Sequence, residues 1–192
     1  MVNIMAGRCL IILASLFYSV RGQVISRGPC PAVVVQPDFN VDKYTGWWYE
    51  IERFPASFET GLKCNNAKYW LKQDGTIGVI NIETDIVTGE QTSVEGDTWV
   101  PDPNVPAKLK VKFRSWMPAG DYWVLRTDYD TFSVVYSCDD FMLGFVKMEY
   151  AWILGRGRTL NTRTLTDIKR DVQDRGIDIS NFIFSDQTGC EA

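Results

Sequence analysis

The sequence predicts an all-β protein: an eight-stranded antiparallel up-and-down β-barrel with one C-terminal α-helix packed against its outside. Three observations favour this fold class. Between Gly46 and Leu154, short runs rich in Val, Ile, Tyr, Trp and Phe recur roughly every ten residues, with turn residues between them. Eight such runs occur, the number of strands that closes a barrel around one small molecule. Beyond them the apolar spacing changes from that of a strand to that of a helix.

Consecutive strands are expected to pair with each other. Asp74-Gly75 and Thr88-Gly89 separate neighbouring runs, and glycine supplies the positive φ that tight hairpins need. Residues 107–114 alternate most clearly, with cations at even positions and apolar side chains at odd ones, which predicts one wet face and one apolar interior. The predicted strands are Trp47–Phe54, Ala67–Lys72, Ile77–Ile86, Ser93–Val100, Ala107–Ser115, Tyr122–Thr127, Thr131–Ser137 and Lys147–Leu154.

A single helix is predicted over residues 159–175. Leu165, Ile168 and Val172 fall on one helical stripe with charged residues between them, and Gly176 is a suitable stop. A helix with one apolar stripe on an otherwise all-β chain should pack against the outside of the barrel.

The first 22 residues have the pattern of a secretory signal peptide. Arg8 leads into the apolar run Cys9–Val20, and the small residue Gly22 closes it. The run has about twelve residues where a membrane-spanning helix needs about 20, which disfavours an anchor. We therefore expect a signal at residues 1–22, a single mature domain at residues 23–192, and a secreted, extracellular protein.

The mature chain is acidic. Loss of Arg8 and Arg21 with the signal leaves 18 basic against 24 acidic residues, a formal charge of −6. Nucleic-acid binding needs clustered Lys and Arg, so no nucleic-acid partner is expected.

The cysteines of the mature chain predict two disulfides. Cys30, Cys64, Cys138 and Cys190 are an even number in an exported chain, although spacing alone leaves all three pairings open. A zinc site is the alternative, but the chain has neither a CxxC pair nor any histidine, and no metal is expected. The missing histidine also removes the usual general base of Ser and Cys hydrolases, which disfavours an enzyme.

Three separated motifs resemble those of the lipocalin family. They are Gly46-Trp47-Trp48-Tyr49 on the first predicted strand, Thr127-Asp128-Tyr129 after the sixth, and Arg156 after the eighth. The likeness extends over essentially the whole mature chain, including the stretches Trp48-Tyr49-Glu50-Ile51-Glu52, Pro106-Ala107-Lys108-Leu109, Tyr122-Trp123-Val124-Leu125, Val135-Tyr136-Ser137-Cys138 and Ala151-Trp152-Ile153-Leu154.

The resemblance assigns the motif residues a structural role. Trp48 would plug the closed end of the barrel, and Arg156 would lie across its indole as a cation–π contact worth about 0.5–2 kcal/mol. Gly46, Thr127, Asp128 and Tyr129 belong to the same set.

The resemblance also implies the disulfide pairing and bears on assembly. Cys30 should pair with Cys138 and Cys64 with Cys190. Asp140 stands where some family members carry an extra unpaired cysteine, so a monomer or a weak homo-oligomer is expected.

A set of predicted ligand contacts follows from the same resemblance. A hollow barrel is lined by alternate residues of its strands. Asn81 and Glu83 lie two apart and share a face, but a solvated outer face with Ile80 and Ile82 pointing inward is the alternative. If Glu83 faces the cavity, burial should raise its pKa. The residues that match the family's cavity wall are Tyr69, Asn81, Glu83, Phe113, Tyr122 and Trp152.

Two predicted loops are unusually apolar, with Trp116-Met117 in one and Phe141-Met142-Leu143 in the other. Soluble proteins rarely expose so much clustered apolar surface without a use. Docking on a lipoprotein or membrane, packing on a second copy, and folding over the mouth as a lid are the alternatives.

The expected function is extracellular binding and transport of a small hydrophobic ligand such as a fatty acid, a steroid or a related lipid. The alternative on the same scaffold is a carrier of a biliverdin-type pigment, and no other cofactor is expected. An enzyme could be assembled only from Glu83 with Tyr69, and a pure interaction module would show a filled core in place of a cavity.

Overall fold

A computed structural model of the chain describes residues 22–190, so the predicted signal lies outside the described residues apart from its last position. Within that range the chain forms ten β-strands, two α-helices and three short 3-10 helices. The helices are α1 (Val41–Tyr44) and α2 (Thr162–Asp174). The strands are β1 (Val24–Arg27), β2 (Gly46–Arg53), β3 (Leu62–Leu71), β4 (Ile77–Asp85), β5 (Gln91–Trp99), β6 (Lys108–Lys112), β7 (Gly120–Thr127), β8 (Phe132–Phe141), β9 (Val146–Gly155) and β10 (Ile183–Phe184).

Strands β2 to β9 close into an eight-stranded antiparallel barrel, as predicted. Each strand pairs with the next along the chain, and β9 returns to β2, where Tyr49 lies opposite Gly155. β1 continues the sheet beside β9, and β10 lies beside β2. Because the strands run alternately up and down, the β2–β3, β4–β5, β6–β7 and β8–β9 loops meet at one end, here called the open end. The β3–β4, β5–β6 and β7–β8 loops and α1 lie at the closed end.

The side chains of each strand divide between the inside and the outside of this barrel. Leu109 is buried, and Val111 and Phe113 pack against the same inner apolar cluster. Between them Lys110 points outward and pairs with Asp121 at 2.7 Å. The alternation predicted for residues 107–114 is therefore confirmed.

Helix α2 packs on the outside of the barrel, also as predicted. It begins three residues later than expected because the Asn161 side chain caps it, accepting the backbone N–H two residues on at 2.8 Å. Ile168 and Val172 are fully buried, with Leu165 beside them, in a second apolar cluster outside the sheet. The helix ends where Gly176 adopts φ +81°, the left-handed conformation that glycine adopts most readily.

Besides the 3-10 helices, three short elements were not predicted, and β3 and β8 are the strands that exceed their predicted lengths most. β1, α1 and β10 have four, four and two residues, and the two strands exist only by pairing with partners far away in sequence. β3 begins at Leu62 instead of Ala67, passing through a register shift where Cys64 has φ +60°. β8 continues beyond Ser137 to Phe141. Polar residues at these strand ends have the composition of loops, and pairing across the sheet overrides it.

Both disulfides have the pairing that the resemblance implies. Cys30–Cys138 joins the N-terminal segment to β8 with a Cα–Cα distance of 5.9 Å, and Cys64–Cys190 joins the C-terminal segment to β3 at 5.6 Å. Each closes a loop of more than 100 residues and should stabilise the fold by about 2–4 kcal/mol.

The closed end is plugged by Trp48, whose side chain is fully buried and donates its indole N–H to the carbonyl of Tyr44 at 2.8 Å. The guanidinium of Arg156 lies 3.7 Å from the centre of the Trp48 ring, as predicted. It also donates to three carbonyls, those of Tyr129, Trp47 and Lys43, at 2.8, 2.8 and 3.0 Å. One cation therefore ties three chain segments to the plug.

The other motif residues make room for this plug and hold the turn beside it. Gly46 has φ +96°, and a Cβ there would lie 3.2 Å from the Arg156 guanidinium. The Thr127 hydroxyl donates to the carbonyl of Phe132 at 2.7 Å, and the Asp128 carboxylate accepts two backbone N–H groups of the same turn. The Tyr129 hydroxyl accepts the backbone N–H of Asn40 at 3.0 Å.

Replacing Arg156 should therefore destabilise the fold. We expect Arg156→Met to lower the free energy of unfolding by about 2–4 kcal/mol, because it removes the cation–π contact and several charge-assisted hydrogen bonds. Urea denaturation measures this loss. Arg170→Met, which removes an exposed cation of α2 paired with Asp167, is the control and should cost under about 0.5 kcal/mol. Equal losses for the two variants would contradict the assigned role.

Candidate ligand-binding site in the barrel

The inner face of the barrel is sealed at the closed end and becomes more exposed toward the open end. Along β4, Ile77 and Val79 are buried in the inner cluster, whereas Asn81 and Glu83, the next two residues of the same face, are only half-buried. The interior is therefore accessible from the end at which the β4–β5 loop lies.

Three tyrosine hydroxyls meet inside the barrel near the closed end. Tyr69 donates to Tyr122 at 2.8 Å, and the Tyr122 hydroxyl is also bonded to that of Tyr44 at 2.8 Å. Tyr44 in turn lies 3.0 Å from the hydroxyl of Ser133. Burial raises the pKa of Tyr44 to about 12 and raises the pKa values of Tyr69 and Tyr122 above their ordinary range. These groups are neutral hydrogen-bonding partners at any physiological pH.

A small pocket lies beside these hydroxyls. Its volume is about 10 Å³, the room of a single water molecule, and Thr98 supplies a buried hydroxyl to its wall. The floor of the barrel is therefore closely packed, and space for a larger ligand has to come from the half toward the open end. The pocket is lined by Phe39, Val41, Tyr44, Thr45, Tyr69, Ile77, Thr98, Leu109 and Tyr122.

Asn81 and Glu83 lie on the inner face of β4. In the β3–β4 pairing Val79 lies opposite Tyr69 and Asn81 opposite Ala67, and these partners all belong to the inner side. The alternative orientation, with Ile80 and Ile82 pointing inward, is wrong for this structure. Contact of Asn81 and Glu83 with a ligand remains a prediction.

Glu83 is partly removed from water in this position. Its carboxylate accepts the hydroxyl of Thr92 at 3.3 Å. Burial raises the pKa of Glu83, and the Thr92 hydrogen bond offsets part of that rise. The group is suited to accept a hydrogen bond from a hydroxyl, or to donate one to a carbonyl when protonated.

Phe113 and Trp152 form apolar wall on the other strands. The Phe113 ring lies over Gly96, where a Cβ would come within 2.8 Å of it, so only glycine leaves room for the ring. Trp152 packs against the inner cluster and stacks on Tyr150, with ring centres 5.9 Å apart and planes 11° apart. Of the six predicted ligand residues, the structure brings Tyr69 and Tyr122 into direct contact, and spreads the other four over the inner face of the more open half.

A buried charged cluster near the open end was not predicted. Arg53 lies between two carboxyl groups, with its Nε 3.2 Å from Glu50 and 2.6 Å from Glu59. Glu59 also accepts the indole N–H of Trp152 at 3.1 Å, and Glu50 accepts the Ser185 hydroxyl at 2.6 Å. The sequence carries only a faint sign of this cluster: three charges, Glu50, Glu52 and Arg53, in an otherwise aromatic and apolar run.

Large apolar side chains crowd the loops of the open end. The predicted residues Trp116, Met142 and Leu143 are 77%, 74% and 100% exposed, and Met117 and Phe141 are also exposed. A lid folded over the mouth would bury them, so the lid alternative does not describe this structure. Three exposed residues of the other two loops were missed: Phe58, Ile86 and Val87. All four open-end loops therefore present apolar tips.

The candidate catalytic pair is not assembled. The Tyr69 hydroxyl donates to Tyr122, whereas the Glu83 carboxylate accepts from Thr92. Tyr69 lies opposite Val79, and Glu83 is four residues further along β4. Between residues 22 and 190, no cluster of three or more potential metal-ligating His, Cys, Asp or Glu side chains is found. None of the helices in that range is long and apolar enough to cross a membrane.

Comparison with known proteins agrees with this architecture. A sequence model of the lipocalin-like domain matches residues 39–187. The chain belongs to the lipocalin family, whose members bind small hydrophobic ligands.

Its relatives within the family can be named. Apolipoprotein D of Rattus norvegicus is 42% identical over 181 residues, which cover 94% of this chain and 94% of that protein. The Lazarillo protein of Schistocerca americana is 30% identical over 153 residues, covering 79% of this chain and 71% of that protein. Among solved structures, insecticyanin from the tobacco hornworm Manduca sexta matches with a TM-score of 0.75 and 27% identity, covering 88% and 91% of the two chains.

Removing the central hydroxyl of the tyrosine group should destabilise the barrel floor. We expect Tyr122→Phe to lower the free energy of unfolding by about 1–3 kcal/mol, because the buried hydroxyls of Tyr69 and Tyr44 each lose a partner. The control is Tyr150→Phe, whose half-buried hydroxyl donates to the sulfur of Met148 at 3.4 Å, with an expected loss under about 1 kcal/mol. Denaturant titration of both variants measures their free energies of unfolding. An unchanged free energy of unfolding in Tyr122→Phe would contradict the stabilising role of these hydrogen bonds.

Proposed function

We propose that this protein is a secreted, non-enzymatic carrier that takes up a small lipophilic molecule, such as a fatty acid, a steroid or a related lipid, through the open end of its barrel. The observation that carries the proposal is the gradient along the inner face, which is sealed and aromatic at the closed end and accessible, with a few polar groups, toward the open end. The 42% identity to apolipoprotein D over nearly the whole chain supports the same function.

The inner wall suits recognition of an amphiphilic ligand. Apolar burial supplies most of the affinity in such sites, and a few convergent polar groups orient the ligand. Phe113 and Trp152 supply apolar surface, while Asn81 and Glu83 supply hydrogen-bonding groups on β4. The hydroxyls of Tyr69 and Tyr122 lie deeper and would meet a polar group at the inner end of the ligand.

Secretion is supported by two features of the chain. Residues 1–22 have the pattern of a signal peptide, and both disulfides need an oxidising compartment to form and persist. Carriage in the extracellular space needs no bond making or breaking.

A second candidate ligand is a bilin pigment. The observation in its favour is the flat stack of Tyr150 on Trp152, which presents an extended aromatic face to a planar conjugated molecule. Both candidates use the same inner wall, and only the bound molecule separates them.

The open end is also proposed to dock on a neutral phospholipid surface such as that of a lipoprotein. Met142 and Leu143 have φ values of +50° and +58°, a conformation that is unfavourable for such side chains, and Leu143 is fully exposed there. Among residues 22–190 the Leu143 side chain packs against no other residue, so packing does not compensate this cost, which favours a partner outside the chain. Asp139 and Asp140 precede this turn, so an anionic surface would be repelled and a zwitterionic one would not.

The ligand proposal is tested by native mass spectrometry and an absorbance spectrum of the naturally secreted protein. We expect a colourless protein with an added mass in the lipid range, because an apolar inner wall retains such a ligand through purification. A bound visible chromophore would establish the bilin alternative. A protein that is empty and binds no lipid probe would overturn the carrier function.

A wall variant provides the control for this experiment. Phe113→Ala should weaken binding of the apolar fluorescent probe N-phenyl-1-naphthylamine about ten- to a hundredfold, in keeping with about 1.5–3 kcal/mol for a buried phenyl ring. Trp123→Ala, on the outer side of β7 where Lys108 covers the indole at 4.3 Å, should leave probe affinity unchanged.

The docking proposal is tested with vesicles of phosphatidylcholine. The double variant Phe141→Ser and Leu143→Ser should reduce the vesicle-bound fraction about tenfold or more, because two large apolar side chains no longer enter the lipid. Flotation measures the bound fraction. Leu71→Ser, an exposed apolar residue at the closed end, is the matched control. Unchanged flotation of the double variant would contradict the docking proposal. A concentration-dependent dimer of the parent protein that the double variant abolishes, and the control does not, would also contradict it by assigning these loops to a second copy.

A further inference from the structure

One buried acidic side chain ties the tip of the β2–β3 loop to the barrel, in addition to the pairing of Ala56 with Gln23 nearer the base of the loop. From Ser57 to Gly61 every residue is exposed except Glu59, which is 8% exposed. Glu59 ends the 3-10 helix Ser57–Glu59 and turns its carboxyl group back into the barrel. A loop tip anchored through a carboxyl group is unusual, since glutamate is rarely buried unless paired.

The partners of Glu59 come from two different strands. From β2, Arg53 approaches one carboxyl oxygen at 2.6 Å and donates a further hydrogen bond to the Glu59 carbonyl at 3.2 Å. From β9, Trp152 donates its indole N–H to the other carboxyl oxygen at 3.1 Å. Beside it on the loop, Phe58 contacts the ring of Tyr150, with centres 5.8 Å apart. We call this arrangement of Glu59, Arg53 and Trp152 the loop clasp.

With the neighbouring Glu50 included, the charges around the loop clasp do not balance when both acids are ionised. Glu50 and Glu59 face one guanidinium, that of Arg53, and the groups around them, Asn65, Ser185 and Trp152, are neutral. A buried excess negative charge is costly, so the cluster favours holding one proton. Both carboxyl groups lie against the same Nε of Arg53, so a proton on either of them removes the excess charge.

The geometry points to a role for Glu59 as a pH-dependent positioning residue: we propose that the loop clasp closes one side of the barrel mouth while Glu59 is protonated and releases the β2–β3 loop when it ionises. The release frees the indole N–H of Trp152, which belongs to the proposed wall of the ligand site. The effect on ligand binding therefore rests on the proposed carrier function. The structural part of the proposal, the loop motion, stands independently of any ligand.

The direction of the pH effect follows from burial. Burial, with the neighbouring Glu50 carboxyl second, raises the pKa of Glu59 from 4.5 to about 8, although Arg53 lowers it. A released loop returns Glu59 to water and to its ordinary pKa. Between these two pKa values the closed clasp therefore holds one more proton than the open loop. The closed clasp is most stable below pH 4.5 and loses stability as the pH rises toward 8. One proton limits the increase in the opening equilibrium to about tenfold per pH unit.

Amide hydrogen exchange of the full disulfide-bonded protein without ligand tests the loop motion. The backbone N–H groups of Phe54, Glu59 and Thr60 are hydrogen-bonded within or next to the loop and report on its opening. After correction for the chemical exchange rate at each pH, we expect protection of a peptide covering residues 54–61 to fall at least tenfold between pH 6 and pH 8.5. Glu59→Gln, which keeps the shape of the protonated form, should remain protected throughout.

Three further variants make the result specific. In this ligand-free measurement Glu90→Gln, an exposed rim glutamate, should behave as the parent protein, and so should Glu83→Gln, a half-buried acid of β4 outside the loop clasp. Trp152→Phe should open the loop more at every pH and keep the pH dependence. A flat profile in the parent protein, a pH-dependent profile in Glu59→Gln, or loss of the dependence in Glu83→Gln would each overturn the proposal.

Probe binding then separates this proposal from the carrier function. The association rate of N-phenyl-1-naphthylamine, which carries no charge over this range, should rise at least threefold from pH 6 to pH 8.5 in the parent protein and stay constant in Glu59→Gln. A protein that binds no probe at any pH would contradict the carrier function, while hydrogen exchange would still decide for or against the loop clasp. Loop opening without any change in the association rate would overturn the clasp's proposed control of the mouth.

Discussion

Closure of β2 to β9 into a barrel is the constraint on which the rest of the structure depends. Pairing of β9 with β2 removes the free edges of the eight-stranded sheet, and β1 and β10 continue it only on the outside. It also fixes which alternate residues point inward, because a shift of one residue would turn every side chain of a strand to the opposite face. The inner aromatic cluster and the outer cluster under α2 are both consequences of that single register.

The two ends of the barrel are built differently. At the closed end, Arg156 lies on Trp48 and donates to three carbonyl groups. The contacts that hold the plug therefore do not depend on the titration of an acid. At the open end, the β2–β3 loop is held through Glu59, whose contacts depend on its protonation state, and the other loops carry exposed apolar tips. Rigidity is concentrated where the ligand would stop, and adaptability where it would enter and leave.

Polar groups inside the barrel occur at three depths. The hydroxyls of Tyr44, Tyr69 and Tyr122 satisfy one another at the floor, Asn81 and Glu83 lie midway, and the Glu50, Arg53 and Glu59 cluster lies near the open end. Each level is costly to bury unless it is hydrogen-bonded. A barrel that only needed stability would fill these positions with apolar side chains, so their presence favours recognition of an amphiphilic ligand.

The sequence by itself determined the features that depend on local periodicity and on compact motifs. The alternation of residues 107–114 fixed an inner and an outer face, the stripe of Leu165, Ile168 and Val172 fixed the packed face of α2, and the motifs around Trp48 and Arg156 indicated the barrel and its plug. These signals are short-range, since they depend on the periods of strand and helix. Only the tertiary structure decided the contacts between distant segments. The inward orientation of Asn81 and Glu83, the edge strands β1 and β10, and the meeting of Glu59 with Arg53 and Trp152 all depend on strand register and barrel closure, which no local pattern encodes.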